Sequence, residues 1–206
     1  VVYNKRVEEL VEQLDKTGVF TDPRIREAFL AIDRKDFVPE ALKASAYIDT
    51  ALSIGEGQTI SQPWVVALML GLLQAKQGDK IMDVGSGSGW QTGLLAHIVG
   101  PKGKIYAIEI IPELCGQARA NLAKYDFQNI ELLCQDARAG LPQAAPFDGI
   151  IAGASGEAIP EAWLEQIKVG GNIVAPVEDS VVVYIKRKDG SFDVREYPGF
   201  RFVPLV

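Results

Sequence analysis

Three carboxylates and one glycine-rich turn are the groups in this chain best spaced to do chemistry together. Residues 81–89 read Ile-Met-Asp-Val-Gly-Ser-Gly-Ser-Gly. Ile81, Met82 and Val84 have the apolar character of a short buried strand, and Trp90 to Val99 reads as the helix that follows it. Asp83 stands at the strand's end, and Gly85, Ser86, Gly87, Ser88 and Gly89 form the connection. Glycine suits a loop whose backbone must approach a bulky ligand or adopt a positive φ. A second strand, Lys104 to Ile110, carries Glu109 at its end. It falls about 20 residues beyond the loop, the offset at which a carboxylate binds ribose hydroxyls. A third strand, Ile130 to Cys134, is followed by Asp136. Ligands of open α/β sheets bind at the carboxyl ends of strands, which makes Asp136 a candidate for an adenine amino group. On local sequence alone, Glu109 also reads as a solvated strand-end charge and Asp136 as a turn aspartate.

The loop spacing narrows the ligand. A dinucleotide fingerprint, Gly-x-Gly-x-x-Gly, would place glycine where Trp90 stands. Gly-x-Gly-x-Gly behind an acidic strand end instead resembles the loop of enzymes that bind S-adenosylmethionine (AdoMet). AdoMet has no pyrophosphate, so its loop need not cradle one. A further candidate lies upstream, in Thr59-Ile60-Ser61-Gln62-Pro63. Pro63 suits the first turn of a helix running to Leu73. Ser61 or Gln62 then falls near the helix N-terminus, where free N–H groups favour an anion. Locally, Ser61 reads first as a plain capping serine.

The elements that must position these residues alternate strand and helix from residue 76 onward. This predicts a doubly wound, mostly parallel α/β sheet. Gly149 to Ala152 and Ile173 to Val177 read as further strands, with a helix from Pro160 to Ile167 stopped by Gly170-Gly171. Val181 to Lys186 and Phe192 to Tyr197 flank Lys188-Asp189-Gly190, a hairpin that adds an antiparallel edge. Ahead of the sheet, Val7, Leu10, Val11 and Leu14 mark one amphipathic helix. Asp22-Pro23 opens a second, and Phe37 to Ala46 reads as a shorter helical stretch. These form an N-terminal helical cap. Tyr47 to Gln62 shows no periodicity and reads as a structured loop able to enclose the site. The prediction is one domain over 1–206, with cap and substrate loop in 1–75 and the cofactor-binding sheet in 76–206.

With 206 residues, 48% of them hydrophobic, the chain can bury a sizeable core. A net charge of −6 argues against a general nucleic-acid binder. No apolar run approaches the length of a membrane span and no stretch reads as a signal peptide. Cys115 and Cys134 show no metal spacing, so they read as reduced thiols of a cytoplasmic protein. No metal site is expected, and a monomer is the default in the absence of a dimer signal.

The chain resembles protein-L-isoaspartate (D-aspartate) O-methyltransferases over nearly its whole length. The resemblance is carried by Asp33 to Pro39, Thr59 to Pro63, Asp83 to Gly89, Ala145 to Asp148, Gly170-Gly171 and Phe202 to Leu205. It implies a Rossmann-like class I AdoMet-dependent fold. It also implies methyl transfer to the α-carboxylate of isoaspartyl residues in damaged proteins, with S-adenosylhomocysteine as product. The ester then collapses to a succinimide without the enzyme. By position, Asp83, Gly85, Ser86, Gly87, Ser88, Gly89, Glu109, Asp136 and Ala137 would hold the cofactor. Thr59, Ile60, Ser61, Gln62 and Pro63 would hold the substrate, with Ser61 the catalytic residue. The chemistry agrees, because a carboxylate is already nucleophilic and a sulfonium methyl already activated. Neither a strong base nor a metal is required, and the single histidine, His97, is read as structural. Two departures stand out. Gln135-Asp136-Ala137 replaces the family's usual Gly-Asp-Gly, and alanine adopts a positive φ only at a cost. Trp64 and Trp90 stand where tyrosine or another aromatic is usual. A methyltransferase for another carboxylate and a non-catalytic AdoMet-binding protein are the competing readings. A nucleic-acid methyltransferase is disfavoured by the strand end Ile151-Ala152-Gly153-Ala154, which lacks the Asn/Asp-Pro-Pro-aromatic motif.

Overall fold

The computed structural model describes residues 4–205. The chain begins with α1 (Lys5–Asp15) and α2 (Pro23–Ala31). Both open on side-chain caps, where Asn4 accepts from the Arg6 N–H and Asp22 from the Arg24 N–H. Such caps satisfy the free donors of a helix start. Residues 34–37 and 40–45 then form two short 3-10 turns, not one helical stretch. Pro39 lies between them and restricts the residue before it to extended backbone.

The segment read from sequence as an irregular loop contains a small hairpin. β1 (Leu52–Gly55) pairs antiparallel with β2 (Gln58–Ile60). Its turn uses positive φ at Gly55, Glu56 and Gly57. Strands this short have no visible period, and they persist by packing, since Ile54 and Ile60 are both buried. α3 (Pro63–Leu73) follows directly.

The rest of the chain builds a seven-stranded sheet from β3 (Lys80–Val84), β4 (Lys104–Glu109), β5 (Ile130–Cys134), β6 (Phe147–Ala152), β7 (Ile167–Val177), β8 (Ser180–Lys186) and β9 (Phe192–Pro198). The helices between them are α4 (Trp90–Val99), α5 (Pro112–Leu122) and α6 (Glu161–Gln166). The spatial order is β5-β4-β3-β6-β7-β8-β9. β3 to β7 run parallel, while β8 and β9 return antiparallel as the edge. Successive residues of the central strands enter opposite faces, as a period of two requires. Ile81, Ile105 and Ile151 join the core shared with α1 to α5. Met82, Ile108 and Ile150 join a second core beneath α6, around Trp163 and Phe147. The N-terminal helices therefore share a core with the sheet.

Two expectations are corrected. Gly170-Gly171 does not stop α6, because that helix ends at Gln166 and both glycines lie inside β7. Gly171 is needed for close approach, since a Cβ there would sit 2.6 Å from the Asp148 carbonyl oxygen. The cysteines are not reduced, because Cys115 and Cys134 form a disulfide with their Cα atoms 5.9 Å apart. α5 carries the chain back to β5 beside β4, so residues distant in sequence meet within bridging range.

Candidate functional site

The site forms where the strand order reverses. From β3 the chain proceeds outward to β4 and β5, and the other half of the sheet begins with β6 on the opposite side of β3. The crevice above the carboxyl ends of β3 and β6 is the topological switch point, where open α/β sheets bind ligands. The glycine loop rises from β3 and Gly153 from β6. Gly153 donates its N–H to the Val84 carbonyl at 2.8 Å. A Cβ on it would lie 2.9 Å from the Gly85 carbonyl oxygen, so only glycine lets the two loops meet.

The glycine loop is shaped by its backbone. Gly85, Gly87 and Gly89 have φ of 67°, 53° and 89°, values that L side chains resist. The Gly85 and Ser86 N–H groups both donate to the Ile108 carbonyl. The Gly87 N–H donates to Glu109 Oε2 at 2.8 Å, and Glu109 Oε1 accepts from the Ile111 N–H at 3.0 Å. Glu109 is thus held from both sides, yet each carboxyl oxygen keeps a further lone pair. Ser86 Oγ is buried and has no hydrogen-bond partner, a hydroxyl left available at the loop.

Asp83 lies beneath this loop and lines none of the cavities described here. It is fully buried. Oδ1 accepts from Gln91 Nε2 at 2.7 Å and Oδ2 from the Thr92 hydroxyl at 2.6 Å, both on α4. Burial pushes its carboxyl up to about 6, opposed by the two hydrogen bonds and reinforced by the Glu109 charge. Its place is to fasten α4 to β3 under the loop.

One cavity runs over the loop toward β4 and β5. It is walled by Gly85, Gly87, Ile108, Glu109, Ile111 and Leu114. Asp136 and Ala137 line its far end. Asp136 accepts from the Arg138 N–H and Nε, each at 2.8 Å, and that guanidinium holds its carboxyl below the usual range. Ala137 is buried without a positive φ, so the departure from glycine is accommodated without backbone strain. A second, open cavity of about 530 Å³ lies on the other side, bounded by Ser61, Gln62, Trp64, Phe200, Arg201 and Phe202. A third, smaller space joins Ser61 to Gly85, Ser86, Gly87 and Ser88. Thr59 and Gly153 line all three, so the cavities meet there. Gly89 lines none of them. A Cβ on it would instead press on Ala118 and Leu122 of α5. His97, in the last turn of α4, lines none either.

Ser61 is not the cap of α3. Gln62 holds the cap position and makes no side-chain capping bond. The cap comes from Asp49, whose Oδ1 accepts from the Trp64 N–H at 2.8 Å while Oδ2 accepts from Gln62 Nε2 at 3.1 Å. Ile60 is buried in the core, and Pro63 begins the helix. Ser61 is thereby left at the cavity junction.

Sequence reasoning missed several of these groups. Arg34 is 2% exposed and donates to four carbonyls, including that of Ser61. Burial lowers its pKa to about 10, which keeps it charged at neutral pH. Within the charged run Asp33-Arg34-Lys35-Asp36 no local pattern sets it apart from its neighbours. The segment 199–205 also returns to the site, where the Leu205 N–H donates to the Ser155 carbonyl and Ser155 bridges to Pro204. Its only sequence signal was the resemblance of Phe202 to Leu205.

The cavities fit AdoMet. Apolar walls suit an adenine ring, Glu109 suits ribose hydroxyls, and the glycine loop with the unpartnered Ser86 hydroxyl suits a polar methionyl chain. Among the described residues no cluster of His, Cys, Asp or Glu could hold a metal.

The family model for protein-L-isoaspartate(D-aspartate) O-methyltransferase matches residues 5–206. A protein-L-isoaspartate O-methyltransferase of Methanopyrus kandleri is 40% identical over 100% of this chain and 93% of its own length. One from Ignicoccus hospitalis is 42% identical over 96% of each chain. Among solved structures, a protein-L-isoaspartate O-methyltransferase superimposes with TM-score 0.88 at 27% identity, covering 96% of this chain and 65% of that one. A Plasmodium falciparum homologue in complex with S-adenosyl-L-homocysteine gives TM-score 0.84 at 25% identity, covering 96% and 97%. With the match running from the capping helices through to the last residue, the chain belongs to the protein-L-isoaspartate(D-aspartate) O-methyltransferase family.

Proposed function

We propose that this protein transfers a methyl group from AdoMet to the α-carboxylate of L-isoaspartyl residues in proteins and peptides. Beyond family membership, one observation supports the reading most. Ser61 stands where the open cavity meets the space over the glycine loop. When bound, AdoMet supplies the activated methyl group. The chain's own residues then have three tasks.

Glu109 is proposed to receive the ribose hydroxyls, while Ile108, Ile111 and Leu114 enclose the adenine, with Asp136 and Ala137 at its edge. The loop from Gly85 to Gly89 takes the methionyl portion, carried on Asp83 from below. On the other side Ser61 receives the substrate carboxylate, Trp64, Phe200 and Phe202 wall the peptide, and Arg201 supplies this cavity's one charged side chain. An ionised carboxylate needs no proton removed, so no base is assigned. Holding two reactants in line is worth about 7–11 kcal/mol in well-oriented systems, and that is the catalysis such a site can provide. A net charge of −6 supports a polypeptide rather than a nucleic-acid substrate. A monomer completes the reading.

The test is methyl transfer from labelled AdoMet to two matched peptides, one isoaspartyl and one aspartyl. Methylation confined to the isoaspartyl peptide is expected. AdoMet binding with no transfer to either peptide would overturn the substrate assignment.

A further inference from the structure

Arg34 touches none of the cavities, yet it is the most extensively bonded side chain near them. Nη1 donates to the Ala46 carbonyl at 2.9 Å and to Ile48 at 3.3 Å. Nη2 donates to Thr50 at 2.8 Å and to Ser61 at 3.0 Å. Three acceptors belong to the irregular segment ahead of β1 and the fourth to the serine of the substrate segment. The Trp90 ring covers the guanidinium at 5.3 Å and is itself anchored by Nε1 donating to the Ile32 carbonyl. The fork is planar and its bonds point in set directions, which a lysine cannot reproduce. No carboxylate pairs with it among the described residues. The opposing charge that acts on it, Asp49, is instead bonded at the start of α3, to Gln62 and the Trp64 N–H.

Ser61 is therefore bracketed. Its carbonyl is bound by Arg34, and on its C-terminal side the Gln62 side chain and the Trp64 N–H are tied through Asp49. Both ties lead to the same segment, residues 46–50. Because that segment is irregular, it has no ladder of its own to fix it, and these side-chain bonds are what join it to residues 61–64.

We propose that Arg34 and Asp49 are positioning residues for methyl transfer, clipping residues 46–50 to residues 61–64 and so setting the direction in which Ser61 enters the cavity junction. This rests on the functional reading above. The clip acts on orientation, so it bears on turnover more than on cofactor affinity. Loss of hydrogen bonds to a charged group would change the rate about 10- to 100-fold.

The experiment compares R34K, D49A and D49N with the unaltered protein. It measures S-adenosylhomocysteine affinity, kcat and KM on an isoaspartyl peptide, thermal melting, and hydrogen exchange of the 61–65 amides. R34K and D49A are expected to lower kcat about 10- to 100-fold, with cofactor affinity nearly unchanged and faster exchange at 61–65. D49N should recover most of the D49A loss, because its amide oxygen can still accept from the Trp64 N–H. Folded variants with unaltered kcat would overturn the proposal and leave Arg34 a purely structural residue. Should R34K fail to fold, the half-buried Asp49 pair decides the matter. If the unaltered protein binds cofactor but methylates no isoaspartyl peptide, the substrate reading fails. Exchange at 61–65 then still tests the clip, and unchanged exchange in D49A would overturn it.

Discussion

Ser61 and Glu109 line adjoining cavities and are held in different ways. Ser61 is held by its backbone, which leaves its hydroxyl for a ligand. Glu109 is held by its side chain, with a backbone N–H on each carboxylate oxygen. Ser61→Ala is expected to slow methyl transfer about 10- to 100-fold, the equivalent of one hydrogen bond to a charged group. Calorimetry should show its cofactor affinity retained. Glu109→Ala should do the reverse at the binding step. It removes the proposed ribose acceptor and frees the Gly87 N–H, so S-adenosylhomocysteine affinity should fall by about tenfold or more in the same titration. At this scale the placement of Glu109 against the glycine loop was readable, because a carboxylate stood at a meaningful offset from it. It was unreadable for Arg34, since no local pattern separates a buried arginine from a solvated one.

At the scale of elements, the junction of β3 and α4 governs the loop. Asp83 sits wholly inside it, bonded to Gln91 and Thr92. Its carboxyl is raised from 3.8 to about 6 in the folded protein, so between those values the folded state holds more protons than the unfolded one. Stability from this group is therefore greatest at low pH and falls as pH rises through that window. Asp83→Asn removes the titration. The stability difference between D83N and the unaltered protein should shift in favour of D83N as pH rises from about 4 to 6, read by urea unfolding at each pH. A difference independent of pH would show that Asp83 is not titrating in this window. The hairpin of β1 and β2 belongs to this scale too. Its short strands escape period counting, and what stabilises them is Ile54 and Ile60 packing into the core, with Ile54 lying over Gly87.

At the scale of the whole molecule, the sheet is covered on both faces, and the helical cap contributes to the same core as α3, α4 and α5. The disulfide adds a covalent tie at one end of this assembly. It joins α5 to β5, next to Leu114 and Gln135 of the cavity proposed for the cofactor. Its 19-residue separation corresponds to about 3 kcal/mol in the chain-entropy account of cross-links. The variant C115A/C134S should lose stability of that order in denaturant unfolding under oxidising conditions. Added reductant should lower the unaltered protein toward the variant and leave the variant unchanged. Equal stability of the two proteins would show that the tie contributes nothing.

The sequence by itself determined the parts governed by short-range rules. Strand and helix alternation, the glycine loop and the carboxylates at strand ends follow from periodicity and from offsets within one βαβ unit. These hold because neighbouring residues in such a unit are neighbours in space. The tertiary structure alone decided what depends on distant segments meeting. It brought residues 58–62, Gly153 and residues 199–205 to one junction, paired Cys115 with Cys134, and moved the capping of α3 from Ser61 to Asp49. It also placed Gly170-Gly171 inside a strand, where β6 approaches Gly171 too closely for a side chain. Each of these is set by packing and hydrogen-bond satisfaction across the fold, and neither leaves a period in the chain.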